Sequence, residues 1–259
     1  MKKAYIASWS GGKDSTYMVD ELLRRKYPLD EVIFCDTGYE FPIMYDYIEK
    51  CKKYWESKYD VKITLLNWKK GKDVWSKWAE SPFTKGQYKG KPRGFPFHMG
   101  MSWCTRELKI KPYEKYIKDK YDGYEVLTYV GIAYDEPNRI RENGEIYPLF
   151  EWKTTEKDAT LALVERGLHN PLYNHFHRTG CFNCPKQSLT SLYTLYKHYK
   201  KEWCDIVKMY EYYNEIDAGV NKFKGYTIDE LIEKFKKYEE LGKPTNYLDE
   251  EQPIGCFCR

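Results

Sequence analysis

The residues with the clearest chemical capacity are Ser8-Trp9-Ser10-Gly11-Gly12-Lys13-Asp14-Ser15. Two glycines let the backbone turn tightly, so that several N–H groups and the start of a following helix point at one spot, an arrangement that favours an anion such as phosphate. Ser10 and Ser15 add hydroxyl donors, Lys13 adds a point charge, and Asp14 adds a hard oxygen ligand of the kind Mg²⁺ prefers. A polar loop that only caps a helix would use the same residue types. The spacing is not that of a Walker A loop, which needs four residues between its first glycine and the Gly-Lys pair.

A second group is Cys181-Phe182-Asn183-Cys184-Pro185. A C-x-x-C turn brings two thiolates within reach of one metal, and the proline stiffens it. Zinc or an iron–sulfur cluster needs about four ligands, so the pair looks to Cys104, to Cys256 and Cys258, or to His175 and His177; a redox dithiol is the alternative. A third group, Asp36-Thr37-Gly38, follows an apolar run and reads either as part of a nucleotide site or as an Asx turn that opens a helix. Arg139 and Arg141 could clamp phosphate or sulfate oxygens.

The elements that must position these groups follow from hydrophobic periodicity. Ala4 to Ala7 reads as a buried strand and Thr16 to Arg25, with Met18, Val19, Leu22 and Leu23, as a helix. Residues 31–35 and 61–66 read as further strands separated by a helix over 43–59, and a fourth strand runs from Tyr124 to Ile132 into Gly131-Ile132-Ala133-Tyr134-Asp135-Glu136-Pro137-Asn138-Arg139. The repeating pattern predicts an α/β fold with a doubly wound, mostly parallel sheet, whose ligands sit at the carboxyl ends of its strands. Residues 147–152 read as a short strand or turn, Thr155 with Asp158 as a cap for a helix through Arg166, and 167–185 as a loop. Residues 189–216 read as helical, and Thr227 to Glu230 as a capping box opening a last helix to about Leu241. Two regions follow: a nucleotide-binding unit over 1–186, and a helical C-terminal region over 187–259 that ends in Gly255-Cys256-Phe257-Cys258-Arg259.

Residues 67–100 break the βα pattern. From Trp68 to Pro112 there are eleven Lys or Arg against three acids, interleaved with Trp68, Trp75, Trp78, Phe83, Tyr88, Phe95, Phe97 and Trp103. Basic charge with stacking rings is the composition of a groove for single-stranded RNA or DNA. A lid or a solvated surface insertion is the other reading.

A formal net charge of +4 over 259 residues carries little weight for an anionic partner, so local clusters must make that case. The chain shows neither a signal peptide nor a run of membrane-spanning length, and its eight cysteines read as thiols, metal ligands or catalytic groups; a cytoplasmic protein with no membrane partner is expected.

SGGKDS resembles the pyrophosphate loop of the PP-loop ATP pyrophosphatase superfamily, whose members cleave ATP between the α and β phosphates. With DTGYEFP, WCTRELKIKP, GIAYDEPNRI, YPLFEW and GCFNCP following in order, residues 1–190 resemble the phosphoadenosine phosphosulfate reductase family within it. The resemblance implies that Ser8, Ser10, Gly11, Gly12, Lys13, Asp14, Ser15, Asp36, Thr37, Gly38, Lys109, Gly131 and Arg139 hold ATP or adenylyl sulfate, with Mg²⁺ on Asp14 or Asp36. It implies a [4Fe–4S] cluster on Cys104, Cys181 and Cys184, with zinc as the alternative.

Two departures stand out. The family's cluster-bearing reductases carry tandem cysteines where this chain has Trp103-Cys104, which leaves the fourth ligand to Cys256, Cys258 or an open iron. They also end in a Glu-Cys-Gly-Leu-His segment and usually lack the Gly-Gly-Lys-Asp core, which this chain keeps. The expected activity is therefore ATP α,β cleavage that adenylylates a substrate for sulfur transfer, with Lys13 and Asp14 in the reaction and a sulfur-donor or thiol-reductant protein as partner. The alternatives are a sulfonucleotide reductase with its thiolate at Cys256 or Cys258, an adenylyltransferase, and a zinc- and nucleotide-binding accessory protein.

Overall fold

The computed structural model describes residues 2–98, 101–243 and 245. Its centre is a four-stranded parallel sheet of order β3-β2-β1-β6, made of β1 (Lys2–Trp9), β2 (Glu31–Cys35), β3 (Lys62–Leu66) and β6 (Tyr124–Val130). Two-residue strands β4 (Phe97–His98) and β5 (Met101–Ser102) pair separately as an antiparallel ribbon. The sheet grows outward from β1 in both directions. In register, Ser8 of β1 faces Ile33 of β2 on one side and Val130 of β6 on the other, so the carboxyl ends of these strands lie side by side.

Alternation along the strands sets the two faces. Trp9, Val32 and Phe34 turn toward α1 (Lys13–Arg24) and α2 (Pro42–Lys58), where Trp9 meets Trp55 edge-on at 5.0 Å and Met18, Leu22 and Ile48 are buried. Glu31, Thr64 and Thr128 turn to the other face, toward α4 (Lys111–Lys120), and bond Tyr116 and Tyr113 there. The sheet is thus covered by helices on both faces, the doubly wound arrangement that the periodicity predicts. Helix α2 shows the local cause plainly: Pro42 starts it, and Met44, Tyr47, Ile48, Cys51 and Trp55 recur on one buried side.

Several expectations need correction. Strand β1 reaches Trp9, which is buried, so the turn begins only at Ser10. The reading of 67–100 as a lid or solvated surface insertion does not hold for its buried residues Trp75, Ala79 and Phe95. The stretch contains α3 (Gly71–Glu80), whose Trp75 and Ala79 are buried. Trp75 Nε1 donates to Tyr213 Oη at 3.0 Å, and Phe95 packs on Tyr213 and Phe223, so burial against the C-terminal region overrides the polar reading of this stretch. Residues 147–152 form a short helix, α5 (Pro148–Glu151), rather than a strand. The helical run after Leu189 is two helices, α7 (Leu189–His198) and α8 (Lys200–Glu215), parted at Tyr199, whose backbone leaves helical geometry. The capping boxes at α6 (Glu156–Glu165) and α9 (Ile228–Glu240) both form as expected.

Among the described residues no helix is long and apolar enough to cross a membrane.

A candidate nucleotide site at the switch point of the sheet

The chain adds β2 and β3 on one side of β1 and then crosses over to place β6, still parallel, on the other, and a crevice opens at this switch beyond the strand ends, where such folds place ligands. It is a cavity of about 310 Å³. Ser8, Ser10, Ser15, Lys109, Gly131, Arg139 and Arg141 line it, seven of the residues singled out from sequence. Ile33, Phe34 and Tyr113 supply its apolar side.

The turn after β1 is held by its own groups. Ser10 and Ser15 hydroxyls lie 2.9 Å apart, and the Ser10 amide donates to Ser15 Oγ at 3.2 Å. Gly11 has φ of +74°, a conformation that only glycine adopts freely. The Gly11 carbonyl accepts from the Asn170 amide at 2.9 Å, and the Lys13 amide donates to Tyr173 Oη at 2.9 Å. Asn170 and Tyr173, in and before the short 3₁₀ turn Pro171–Asn174, therefore brace the loop. Sequence reasoning missed both; the Asn-Pro pair signals a turn but not its destination.

Gly131, at the end of β6, approaches closely. A Cβ there would lie 2.7 Å from the Ser15 Cα and 2.8 Å from its amide nitrogen. Glycine is required because the loop after β6 meets the first turn of α1 backbone to backbone. Gly38 behaves alike: with φ of +82°, its place for a Cβ is taken by the Lys72 amide nitrogen at 2.2 Å. It serves contact with the start of α3. Asp36, too, is committed to the turn. Its carboxylate accepts from the Gly38 amide at 2.7 Å, from Tyr45 Oη at 3.0 Å and from the Lys69 amide at 2.8 Å. Both oxygens are engaged, and neither Asp36, Thr37 nor Gly38 lines the cavity.

At the mouth of α1, carboxylate oxygens of Asp14, Glu136 and Glu156 lie within 4.8 Å of one another. The Glu156 amide donates to Asp135 at 3.1 Å, which pins the start of α6 to the loop after β6 and brings the three acids together. Asp14 Oδ1 is buried without a hydrogen-bond partner. Burial first, then the charge of Glu156, pushes the Asp14 carboxyl up to about 7, and burial likewise raises Glu136. Lys13 Nζ bonds Glu156 at 2.9 Å. Burial alone would lower that ammonium's pKa, but the bond and charge of Glu156 outweigh it and raise it. Three crowded oxygens, one of them unsatisfied, fit a divalent hard cation. Glu136 and Glu156 are further residues that sequence reasoning missed; Glu136 stands in the fourth-strand motif and Glu156 directly follows the capping Thr155.

Cys104, Cys181 and Cys184 do not line the cavity. The C-x-x-C turn forms, with the Cys184 amide donating to the Cys181 carbonyl at 3.2 Å. Cys181 Sγ lies 2.9 Å from Thr37 Oγ1 and 3.6 Å from Glu40 Oε1. Burial pushes the Cys181 and Cys104 thiols up, and the Lys109 ammonium opposes this at both. Lys109 also lines the cavity at the β1/β6 switch point, so it stands between the two places. It is carried on a π-helical turn, Thr105–Ile110, that runs into α4; such widened turns recur at functional sites. Among the described residues Cys104, Cys181 and Cys184 do not bring three sulfurs within 4.8 Å, so as placed they do not fit one zinc ion, and these three are one ligand short of a four-cysteine cluster. Cys256 and Cys258 lie outside the described residues.

Comparison with known proteins decides the family. Residues 4–187 match the family model of the phosphoadenosine phosphosulfate reductase domain. The chain belongs to that family. Two relatives of this reductase-domain chain come from Methanocaldococcus jannaschii, both uncharacterized proteins, at 30% identity over 92% of this chain and 28% over 78%. A third, an uncharacterized nin region protein of Escherichia phage lambda, is 28% identical over 71% of this chain. This family member spans 52%, 40% and 66% of the lengths of these three. A crystal structure of phosphoadenylyl-sulfate reductase from Candida auris, in complex with phosphate, overlaps it with a TM-score of 0.45 at 16% identity, covering 70% of this chain and 82% of that one.

Proposed function

We propose that this reductase-domain protein binds ATP with Mg²⁺ in the cavity at the β1/β6 switch point, cleaves the α,β-phosphate bond and adenylylates a substrate for sulfur transfer. The observation that carries this reading is the Asp14, Glu136 and Glu156 cluster beside Lys13; none of the four lines the cavity, but Ser15, next to Asp14, and Arg139, which pairs with Glu136, both do. Such a trio would repel a nucleotide's phosphates unless a cation intervened, and it offers Mg²⁺ the oxygen ligands it prefers. Mg²⁺ held there supplies charge neutralisation at the phosphates.

The protein's own groups then do the following. Lys13 leaves Glu156 and pairs with the departing pyrophosphate, and its amide exchanges Tyr173 Oη for a phosphate oxygen. The Ser10 and Ser15 hydroxyls turn from each other to the same phosphates. Arg139 and Lys109 hold the α-phosphate side. An acceptor nucleophile attacks the α-phosphorus, the bond to the α,β-bridging oxygen breaks, and charge developing on pyrophosphate meets donors already in place. The thiols behind Lys109 support sulfur chemistry on the adenylylated acceptor. Exposed Lys77, Lys85 and Lys89 make a single-stranded nucleic acid the first acceptor to try, although Trp75 and Phe95 are core residues and offer no stacking platform.

The test is an anaerobic incubation with Mg-ATP and, separately, with the two adenylyl sulfates, products being separated by chromatography. AMP and pyrophosphate from ATP without sulfite from the sulfates is expected. Thiol-dependent sulfite would replace this reading with a sulfonucleotide reductase.

A further inference from the structure

A second cavity of about 270 Å³ shares no lining residue with the first. Its two walls carry opposite charge. Lys69 and Lys72, at the start of α3, form one; Glu202 and Asp205, three apart on the same side of α8, form the other, with Lys201 at its rim. Phe182 and Tyr45 complete it. Each lysine of the first wall lies near an aromatic ring, Lys69 5.8 Å from Trp68 and Lys72 5.3 Å from Tyr39. Lys69 also keeps a left-handed backbone, φ +59°, which is uncommon outside glycine, and its N–H donates a hydrogen bond to the Asp36 carboxylate.

The walls do not close on each other. Among the described residues none of these lysines or acids joins an ion pair within 4.0 Å. Glu202 is the sharpest case, because it is only 8% exposed and yet has no protein hydrogen-bond or ion-pair partner among the described residues. Its carboxylate oxygens stay open to the cavity rather than to a protein donor. Opposed charges held apart across a small cavity, with an aromatic side, match a compact molecule that carries both signs itself.

We infer that this cavity binds a small zwitterionic α-amino acid, its carboxylate on Lys69 and Lys72 and its ammonium on Glu202 and Asp205. Its side chain lies toward Phe182, next in the chain to Cys181, and toward Glu40, which lines the cavity and touches the Cys181 thiol. The inference does not rest on ATP chemistry.

The experiment is anaerobic titration calorimetry of the whole chain with three probes that share a thiol: L-cysteine, cysteamine, which keeps the ammonium alone, and 3-mercaptopropionate, which keeps the carboxylate alone. L-Cysteine is expected to bind at least tenfold more tightly than either half. Glu202→Gln and Lys72→Ala should each weaken it at least fivefold, with nucleotide binding, measured in parallel, unchanged. Equal binding of the three probes, tightest binding of 3-mercaptopropionate, no binding of L-cysteine, or indifference to both substitutions would overturn the inference. Loss of nucleotide binding in wild type with L-cysteine binding intact would count against the proposed function alone.

Discussion

Single residues set what the site can hold. Gly131 is the tightest constraint, because a methyl group there would stand inside contact distance of the Ser15 backbone. Gly131→Ala should push the loop after β6 away from α1 and lower nucleotide affinity at least tenfold. Equilibrium binding of a fluorescent ATP analogue measures this, with far-UV circular dichroism checking that the fold persists. Asp14 gives a pH signature. Its carboxyl titrates near 7 in the folded chain and at 3.8 as a free group, so between those values the native state holds a proton that the unfolded chain has released. Stability from this group therefore falls as pH rises through that window, and the penalty is complete above it. Asp14→Asn removes the penalty. Its melting temperature should exceed that of wild type by a margin that widens from about pH 4 to about pH 8 without divalent cations. A margin independent of pH would show that the carboxyl is not destabilised by its surroundings.

At the scale of elements, α6 is the lever. Thr155 and Asp158 cap it reciprocally, and its first residue, Glu156, pairs with Lys13. Its far end is tied by Arg166, which bonds buried Asp20 and also Glu21 of α1, each at 2.7 Å. Thr155→Ala should cost about 1 kcal/mol, the usual value of an N-cap. Arg166→Ala should cost about 3 kcal/mol or more, because it strands Asp20 in the core. Urea unfolding of the two variants gives the comparison, and a smaller loss for Arg166→Ala than for Thr155→Ala would contradict the network. Both caps were legible as Thr-x-x-Asp and Thr-x-x-Glu. The break at Tyr199 was not, since no glycine or proline marks it.

Across the whole molecule, one apolar core joins the sheet to the C-terminal helices. Trp75, Phe95, Tyr213 and Phe223 link the segment after β3 to α8 and the turn beyond it. The chain should therefore unfold in a single transition, with near- and far-UV signals coincident. Trp75→Ala should lower stability by roughly 3–5 kcal/mol while leaving the transition single. Two separated transitions in wild type would mean that the C-terminal region folds apart from the sheet.

The sequence alone determined the parallel α/β sheet, its flanking helices and the anion-binding turn, because strand and helix periods and glycine turns are local properties of the chain. It also marked seven residues that meet in the cavity at the β1/β6 switch point. Tertiary structure decided the rest. Glu136 and Glu156 join Asp14 only because the loop after β6 and the start of α6 converge on α1. Asp36 turns inward as a brace because its neighbours' amides and Tyr45 reach it first. The rings of 67–100 that looked like a stacking surface are in part core, since what covers a ring depends on residues more than a hundred positions away. Side-chain type fixes which chemistry is available, and packing fixes which groups stand close enough to perform it.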